Sequence, residues 1–249
     1  MSEQSLKDQA DRYDREAQVH SEHMQDKWTQ AYRDRFIRSY FDGLDLEGAR
    51  VLDAMCASGV ETGYLIDRGA NVVGLDISSE NAKLYEQIWG LPCKVASVHE
   101  TGYDDESFDA VYVCGGLHHI LPLLDETIAE VHRILRPGGK FMFVEPNADS
   151  WVNSIRKVWY EKSETFGDDE RAISYRDELE PRMAGRFSEE SLKYGGNVAY
   201  LSVGQSHTLG IPKSLKGAVA AVTQPIERIS TIVPVLPRLF FVGVWSKVG

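Results

Sequence analysis

Short apolar runs alternate with segments of helical periodicity along most of the chain from Arg50 onward. Before residue 147 the apolar runs are, in chain order, VLDAMC, NVVGLDIS, CKVASV, FDAVYVCGG and KFMFVEP. Alternating strands and helices predict an α/β fold built on a mostly parallel sheet. Two later runs, NVAYLSVGQ and LFFVGVWSKV, predict further strands on either side of a helical stretch from about residue 212 to residue 232.

The segments outside this alternation differ in composition and in the spacing of their apolar residues. Residues 1–46 carry aromatic side chains near helical spacing ahead of Gly43, at Trp28, Tyr32, Phe36, Tyr40 and Phe41. We therefore predict a helical N-terminal lid over residues 1–46. Residues 148–186 combine aromatic side chains with a charged stretch that lacks strand patterning, and here we predict a helical cap insertion over the active site. The main domain then comprises residues 47–147 and 187–249.

Two amphipathic patterns stand out inside this framework. Leu124, Ile128, Val131 and Leu135 recur at every third or fourth position, and Pro137-Gly138-Gly139 ends the pattern, so a helix that stops in a turn is expected. The apolar residues between about 212 and 239 suit either a lipid surface or a helix that covers the sheet. We favour packing against the sheet, because helices that cover a sheet are equally apolar.

Composition and charge narrow the classes of function. The 38 acidic residues outnumber the 27 basic ones, and a net charge of −11 opposes a nucleic-acid partner. The polar N-terminal segment does not resemble a signal peptide. The sequence has no run of eighteen apolar residues, so we expect no integral membrane association. Cys56, Cys93 and Cys114 lack the paired spacing of a zinc site, so we expect no metal and the reduced thiols of a cytoplasmic protein.

Acidic residues end the first two predicted strands. Asp53 is followed by the small-residue turn A-M-C-A-S-G, and Asp76 closes the next strand. Open α/β sheets bind their ligands at the carboxyl edge of the strands, where an acidic side chain can accept hydrogen bonds from the hydroxyl groups of a ribose. Ser78 is well placed to cap the following helix, which leaves Asp76 available for a ligand. An adenosine-containing cofactor fits this pair.

These residues resemble the motifs of the class I S-adenosylmethionine-dependent methyltransferases, especially the bacterial branch that acts on small molecules and quinones. The resemblance covers about residues 50–147. Its parts are the turn after Asp53, the strand end Gly74-Leu75-Asp76-Ile77-Ser78, the segment Ser107-Phe108-Asp109, and the turn Leu135-Arg136-Pro137-Gly138-Gly139-Lys140. Met55 and Ala57 stand where the family carries two of its three alternating glycines, and Gly59 retains the third.

The resemblance implies a Rossmann-like class I methyltransferase sheet, mostly parallel with an antiparallel last strand. It implies S-adenosylmethionine as the cofactor, S-adenosylhomocysteine as the product, and a small-molecule acceptor of metabolite, lipid-like or sugar-containing type. The sequence leaves a homodimer open. The residues that the resemblance places around the cofactor are Tyr13, Asp53, Met55, Ala57, Gly59, Asp76, Ile77, Ser97, Val98, Cys114 and Gly115.

His118 and His119 are the candidates for a catalytic base, since they follow the fourth strand and histidine exchanges protons near neutral pH. Cys114 is better explained as a small buried residue than as a nucleophile, because methyl transfer does not need one.

Two other functions compete with methyl transfer. A non-catalytic binding module would explain the loss of two motif glycines. An NAD-dependent oxidoreductase also begins with a strand, a turn and a later acidic residue, but A-M-C-A-S-G lacks the glycines that seat a pyrophosphate.

Overall fold

The computed structural model of the protein describes residues 2–153, 171–206, 209–230, 233 and 236–249. Seven strands form one sheet in the order β3-β2-β1-β4-β5-β7-β6. In chain order they are β1 (Arg50–Ala54), β2 (Asn71–Asp76), β3 (Cys93–Val95), β4 (Phe108–Cys114), β5 (Leu135–Pro146), β6 (Phe187–Gly195) and β7 (Phe240–Lys247). The strands pair in parallel except at β7, which runs antiparallel to both β5 and β6. The mostly parallel Rossmann-like sheet with an antiparallel last strand is thus confirmed.

Helices cover both faces of this sheet. In chain order they are α1 (Glu3–Met24), α2 (Lys27–Phe36), α3 (Thr62–Asp67), α4 (Ser79–Trp89), α5 (Leu124–Ile134), α6 (Glu180–Met183) and α7 (Lys213–Ser230). A short 3₁₀ helix, Leu117–His119, follows β4. The central strands are buried on both faces, as their continuous apolar runs require.

Helix α5 follows the predicted amphipathic pattern. Leu124, Ile128 and Val131 are buried against the core that surrounds β4 and β5. Asp125 and Glu126 lie in the first turn, where negative charge is favourable, and His132 and Arg133 lie in the last. The strand that follows begins at Leu135 and therefore includes the Pro137-Gly138-Gly139 turn.

The end of the chain departs from the predicted elements. The run NVAYLSVGQ is not a strand: Tyr200–Gly204 forms a π-helical turn that packs beside α7. The strand at this sheet edge is instead Phe187–Gly195, whose side chains are mostly half-exposed and polar. Its composition concealed it, because an edge strand with one side open to solvent needs little apolar character.

The lid and cap predictions differ in how far the structure bears on them. Most of residues 3–41 are helical, with α1, α2 and a 3₁₀ helix at Arg38–Phe41. In the cap segment, residues 154–170 lie outside the described residues, and the remainder contains a π-helical turn at Tyr175–Leu179 and helix α6. The domain boundaries stay a prediction.

Helix α7 is oriented opposite to expectation. Its buried residues are Lys216, Ala220, Glu227 and Ser230, whereas Leu215, Val222, Ile226 and Ile229 are between 49% and 65% exposed. The expectation that its apolar residues pack against the sheet is therefore wrong for these four. Polar contacts to neighbouring elements hold the inner face: Lys216 Nζ lies 2.7 Å from Thr29 Oγ1, and Glu227 accepts the backbone N–H of Asn197 and of Ala199.

Candidate functional site

A cavity of about 320 Å³ lies at the carboxyl edge of the parallel strands. The loops after β1, β2, β3 and β4 form its floor, and α1, α2 and the π-helical turn at Tyr200–Gly204 contribute the opposite wall. Ligands of doubly wound sheets bind at this edge. Every residue that the sequence placed at the site lines this cavity except Gly59.

Helix α1 lies across the cavity and joins two of these loops. Asp14 accepts a hydrogen bond from the Ser78 hydroxyl at 2.5 Å and another from the backbone N–H of Glu80 at 3.1 Å. Five residues earlier in α1, Gln9 donates from Nε2 to the carbonyl oxygen of His119 at 3.1 Å. Helix α1 thus bridges the end of β2 and the end of β4 over the site.

Asp53 is a buried carboxyl at the end of β1, with 2% of its surface exposed. The Thr62 hydroxyl donates to Asp53 Oδ2 at 2.6 Å. Burial raises the pKa of Asp53 to about 8, and the nearby Glu61 and Asp76 add to this effect while the Thr62 hydrogen bond opposes it. A ligand that brings a positive charge close to this carboxyl would stabilise its ionised form.

The turn after Asp53 keeps a backbone shape that glycine would favour. Met55 and Ala57 have φ angles of 56° and 48°, in the left-handed region, and Gly59 has a φ of 80°. Side chains rarely adopt this conformation, because Cβ approaches the carbonyl oxygen. The positions that lack the motif glycines therefore still adopt the glycine conformation, at a cost in backbone strain.

Replacing Ala57 with glycine is expected to stabilise the protein. Removing Cβ at a φ of 48° relieves strain of about 1 kcal/mol, equivalent to a rise in Tm of about 2–4 °C for a domain of this size. Thermal unfolding followed by circular dichroism measures this shift. The matched control is Ala82→Gly in the middle of α4, which should lower the stability by about 1 kcal/mol. A lower Tm for Ala57→Gly would contradict the strain argument.

Gly59 has a packing role in this structure. A Cβ built on it would lie 2.2 Å from Nε1 of Trp89, and Trp89 donates from that nitrogen to the carbonyl oxygen of Ser58 at 3.1 Å. The indole thus closes over the turn from the side opposite the cavity. This explains the glycine without a contact to a ligand, and a role of Gly59 in cofactor binding stays a prediction.

Asp76 connects the first two strand ends. Its Oδ2 accepts the backbone N–H of Ala57 at 2.8 Å, and its Oδ1 accepts that of Ser78 at 2.9 Å. Burial raises the pKa of this carboxyl, while these backbone hydrogen bonds act in the opposite direction. As predicted, Ser78 caps α4, because its hydroxyl accepts the N–H of Asn81. Oδ1 also accepts a longer hydrogen bond from Asn81 Nδ2 at 3.4 Å, whereas Oδ2 has a further lone pair for a ligand hydroxyl.

The neighbouring wall combines one polar and several apolar contacts. Ile77 follows Asp76, and Val98 is buried beneath the cavity. The Ser97 hydroxyl lies 2.5 Å from His99 Nδ1. Two apolar side chains and a hydroxyl group in the same lining suit a flat aromatic ring with a polar edge.

A buried charged network separates the cavity from α3. Glu61 pairs with Arg33 and with Arg38, whose Nε lies 2.8 Å from Glu61 Oε2. Burial works to raise the pKa of Glu61, but the two guanidinium groups hold it below its usual value. Arg38 also pairs with Asp34 at 2.6 Å, so two carboxylates balance the two guanidinium groups, and the positive charge that lines the cavity is that of Arg33.

Arg33 carries that charge to the cavity surface. Its Nη2 donates to Cys114 Sγ at 2.9 Å, and in the described part of the chain no hydrogen bond is directed from its Nη1. Burial raises the pKa of Cys114 to about 12, although Arg33 opposes the shift, so this residue remains a thiol at neutral pH. Gly115, with a φ of 68°, is followed in the lining by Gly116. An added Cβ at Gly115 would meet only His118 Cε1, at 4.0 Å.

His118 and Glu145 form a polar pair at the end of β4. Glu145, the penultimate residue of β5, accepts the backbone N–H groups of Gly116 and Leu117 at 2.9 and 2.8 Å through Oε1. Its Oε2 lies 2.8 Å from Nδ1 of His118. With a proton on Nδ1 held by this carboxylate, Nε2 of His118 carries the lone pair and is the basic atom of the ring.

His119 and Tyr13 differ from His118 in their surroundings. Burial lowers the pKa of His119 well below its usual value, and the adjacent His118 adds to this shift, so His119 is neutral. Its ring contacts Tyr13 edge to face, with centroids 5.8 Å apart. Burial raises the pKa of Tyr13 to about 12, against the opposing charge of Arg12, and its hydroxyl therefore remains a hydrogen-bond donor.

Sequence reasoning missed several polar side chains of this site, among them Asp14, Arg33, Glu61 and Glu145. A local signal existed for Glu145, since a carboxyl group near the end of a buried strand lies at the same edge as Asp53 and Asp76. Arg33 and Asp14 lie on helices whose patterns are those of ordinary surface helices. Their proximity to the strand ends depends on how α1 and α2 dock.

Comparison with known proteins agrees with this geometry. Residues 52–143 match a family model described as a methyltransferase domain. The chain is 35% identical over 114 residues to an uncharacterized methyltransferase of Synechocystis, which covers 42% of this chain and 51% of the relative. It is 34% identical over 106 residues to a fatty-acid O-methyltransferase of Mycolicibacterium smegmatis. This match covers 41% of this chain and 38% of the relative. The match thus spans 51% and 38% of the length of these two relatives.

A solved structure extends the similarity to nearly the whole chain. The 1,6-didemethyltoxoflavin-N1-methyltransferase of Burkholderia thailandensis, determined with bound S-adenosylhomocysteine, matches with a TM-score of 0.55 and 18% identity. The superposition covers 98% of this chain and 87% of that one. At this identity the comparison establishes the shared fold.

Proposed function

We propose that this chain is a class I S-adenosylmethionine-dependent methyltransferase and that it methylates a hydroxyl group on a small, largely apolar acceptor. The observation that carries the proposal is the His118–Glu145 pair, which lies in the same cavity as Asp53 and Asp76. When bound, S-adenosylmethionine supplies an electrophilic methyl group on a sulfonium. The protein has to bind this cofactor, orient the acceptor and accept its proton.

The cavity residues fit the parts of the cofactor. Asp76, a carboxylate acceptor in the cavity lining at the end of β2, suits the ribose hydroxyls, and Ser97 with Val98 suits the adenine. The charged groups suit a zwitterionic methionine end: Asp53 for the ammonium and Arg33 for the carboxylate. Tyr13 is a further donor on the side of α1. Met55, Ala57 and Gly115 shape the backbone beneath the ligand through their positive φ angles.

His118 would act as the general base. Glu145 holds its Nδ1, which leaves Nε2 to accept the proton of an acceptor hydroxyl. The neutral and buried His119 packs against the His118 ring, with centroids 3.9 Å apart, and supports its orientation. A base of this kind favours a hydroxyl acceptor, because a carboxylate acceptor has no proton to lose.

The wall near α2 and the π-helical turn indicates the character of the acceptor. It is lined largely by apolar side chains, among them Met24, Ile37, Val144, Leu201 and Leu209. Pockets of this composition bind apolar molecules and orient them by a few polar groups. The relative that methylates fatty acids is consistent with a lipid-like acceptor. We therefore expect an acceptor with a hydroxyl group on a hydrocarbon body.

Cofactor affinity is expected to rise with pH through the titration of Asp53. With a pKa of about 8, Asp53 holds its proton at neutral pH, and pairing with the cofactor ammonium displaces that proton. Affinity for S-adenosylhomocysteine should then increase by up to about tenfold per unit between about pH 6 and pH 7.5. By the same pKa, folding stability falls as pH rises from about 4 to about 8, because the folded state binds the extra proton.

Titration calorimetry in two buffers of different ionisation enthalpy measures this proton release directly. In Asp53→Asn, affinity should lose its pH dependence and the heat should no longer vary with the buffer. Binding of equal strength at all pH values in the unaltered protein would contradict the role of Asp53.

The proposed function is tested in two stages. Titration with S-adenosylmethionine and S-adenosylhomocysteine should show saturable binding with a Kd in about the micromolar range. The protein is then incubated with S-adenosylmethionine and a panel of long-chain alcohols, phenols and matched carboxylic acids. Methyl ethers detected by mass spectrometry would support the proposal, and methyl esters formed without ethers would overturn the hydroxyl assignment.

A non-catalytic binding module is the competing interpretation, since two motif glycines are absent. The positive φ angles of Met55 and Ala57 count against it, because the turn retains its shape despite the substitutions. Within the described residues no helix is long and apolar enough to span a membrane. A cytoplasmic location and a homodimer remain proposals, and sedimentation velocity tests the second.

A further inference from the structure

Helix α7 presents an apolar surface to the solvent along its whole length. Leu215, Val222, Ile226 and Ile229 are 55%, 65%, 49% and 64% exposed and share one face by their spacing of three, four or seven residues. The helix has 18 residues and is therefore about 27 Å long. Helices of water-soluble proteins normally direct such a stripe toward the core.

The opposite face of α7 is polar and tightly held. Lys216 is 1% exposed and forms an ion pair with Asp26 together with a hydrogen bond to Thr29. Glu227, also 1% exposed, accepts the N–H groups that open the π-helical turn. These buried polar contacts fix the rotation of the helix, since turning it inward would leave both charges without partners. The apolar face is thus held outward by the fold.

Charge and aromatic side chains around this face indicate what it meets. Within Lys213–Ser230 the exposed charged residues are Arg228 and Lys213, both basic, in a chain whose net charge is −11. Lys213 forms an ion pair with Glu22 of α1 at 2.8 Å, so the basic border rests on Arg228 and Lys27. Trp28, 38% exposed, lies against Gly217, where an added Cβ would be 2.7 Å from its ring, and Lys27 Nζ lies 5.0 Å from the Trp28 ring centroid. An apolar helix face with tryptophan and basic residues at its border is typical of helices that lie in a lipid interface.

Helix α7 is adjacent to the acceptor end of the cavity. The π-helical turn at Tyr200–Gly204 joins the two through the inner face of α7: Leu201 lines the cavity, and the Ser202 hydroxyl lies 3.2 Å from Thr223 Oγ1. Leu209, shortly before α7, lines the cavity and is 46% exposed. An apolar acceptor that leaves a lipid phase at α7 would therefore reach the cavity along apolar side chains.

We propose that the exposed face of α7, with Trp28 and Lys27 at its border, docks the enzyme on an anionic lipid surface from which it takes its acceptor. This proposal rests on the proposed function, because docking would give the enzyme access to a lipid-like acceptor. The helix lies in the plane of the surface with Val222, Ile226 and Ile229 inserted, while Arg228 and Lys27 face the lipid headgroups.

Vesicle co-sedimentation tests this surface with the full-length protein. The vesicles are phosphatidylcholine alone and phosphatidylcholine with about one quarter phosphatidylglycerol. We expect binding to the anionic vesicles, and a loss of at least about tenfold in the partition coefficient for the triple variant Val222→Gln, Ile226→Gln, Ile229→Gln. Arg228→Gln should lower binding to anionic vesicles by about fivefold.

The matched control replaces three exposed apolar residues elsewhere, Ile66→Gln, Ile88→Gln and Val248→Gln, and should bind vesicles like the unaltered protein. Equal binding by the α7 variant, or none by the unaltered protein, would overturn the proposal. If the unaltered protein is a dimer, the α7 variant a monomer, and neither binds vesicles, the face is a contact between two copies instead.

Cofactor titration separates this proposal from the proposed function. The α7 variant should bind S-adenosylhomocysteine as the unaltered protein does, which also shows that it is folded. Vesicle binding without any cofactor binding in the unaltered protein would overturn the methyltransferase assignment and retain the surface. Cofactor binding without vesicle binding would overturn the docking surface and retain the methyltransferase assignment.

Discussion

Replacing His118 with alanine is expected to lower kcat by about 10²–10⁴-fold while leaving affinity for S-adenosylhomocysteine nearly unchanged. The variant removes the ring whose Nε2 is the proposed proton acceptor and leaves Asp53 and Asp76 in place. Methyl transfer itself continues slowly, because the bound reactants remain aligned. Single-turnover experiments with a long-chain alcohol acceptor measure the rate of methyl transfer. Calorimetric titration measures the affinity for S-adenosylhomocysteine.

Two further variants distinguish a base from a structural residue. Glu145→Gln keeps the size of the side chain but removes the charge that orients His118, so it should lower kcat less than His118→Ala and alter the dependence of kcat on pH. His132→Gln, on the outer helix α5, is the matched control and should have normal activity. Loss of cofactor affinity in His118→Ala, with normal rates at saturation, would assign this residue to binding.

Replacing Asp76 with alanine is expected to weaken S-adenosylhomocysteine binding by about 100-fold. Two charge-assisted hydrogen bonds to ribose hydroxyls are lost, each worth about 1.5–3 kcal/mol, and part of this is recovered by solvent. Asp76→Asn should have an intermediate effect, because one carbonyl oxygen remains as an acceptor. Titration calorimetry at constant pH measures both variants.

A ligand lacking the 2′-hydroxyl group completes this test. The unaltered protein should bind the deoxy analogue more weakly than S-adenosylhomocysteine, whereas Asp76→Ala should bind the two with similar affinity. This double-mutant logic separates a ribose contact from a general effect on the fold, to which Asp76 also contributes through Ala57 and Ser78. Equal discrimination in both proteins would assign the ribose contact to another residue.

Much of the sheet could be predicted because its signals are local. The apolar runs ending in Asp53 and Asp76 became β1 and β2, and the spacing of Leu124, Ile128 and Val131 became the buried face of α5. Parallel strands buried on both faces need continuous apolar runs, and such runs are visible in any sequence. The capping role of Ser78 was equally visible, since a cap acts within three residues.

Predictions failed where the environment of a segment depends on distant parts of the chain. Phe187–Gly195 became an edge strand by pairing with β7, although its polar pattern gives no sign of it. The π-helical turn at Tyr200–Gly204 was predicted as a strand because short apolar runs suit either structure. Its helical form is supported by Glu227, which caps it from α7.

The sequence by itself determined the α/β sheet, the acidic strand ends and the helical character of residues 1–46, because each depends on spacing within a short segment. The tertiary structure decided which side chains meet: Arg33 with Glu61 and Cys114, Glu145 with His118, and Asp14 with the start of α4. It also decided that α7 turns its polar face inward, because Lys216 and Glu227 find their partners there. Periodicity establishes that a helix has two faces, whereas the free energy of burying each face depends on the groups that the fold brings against it.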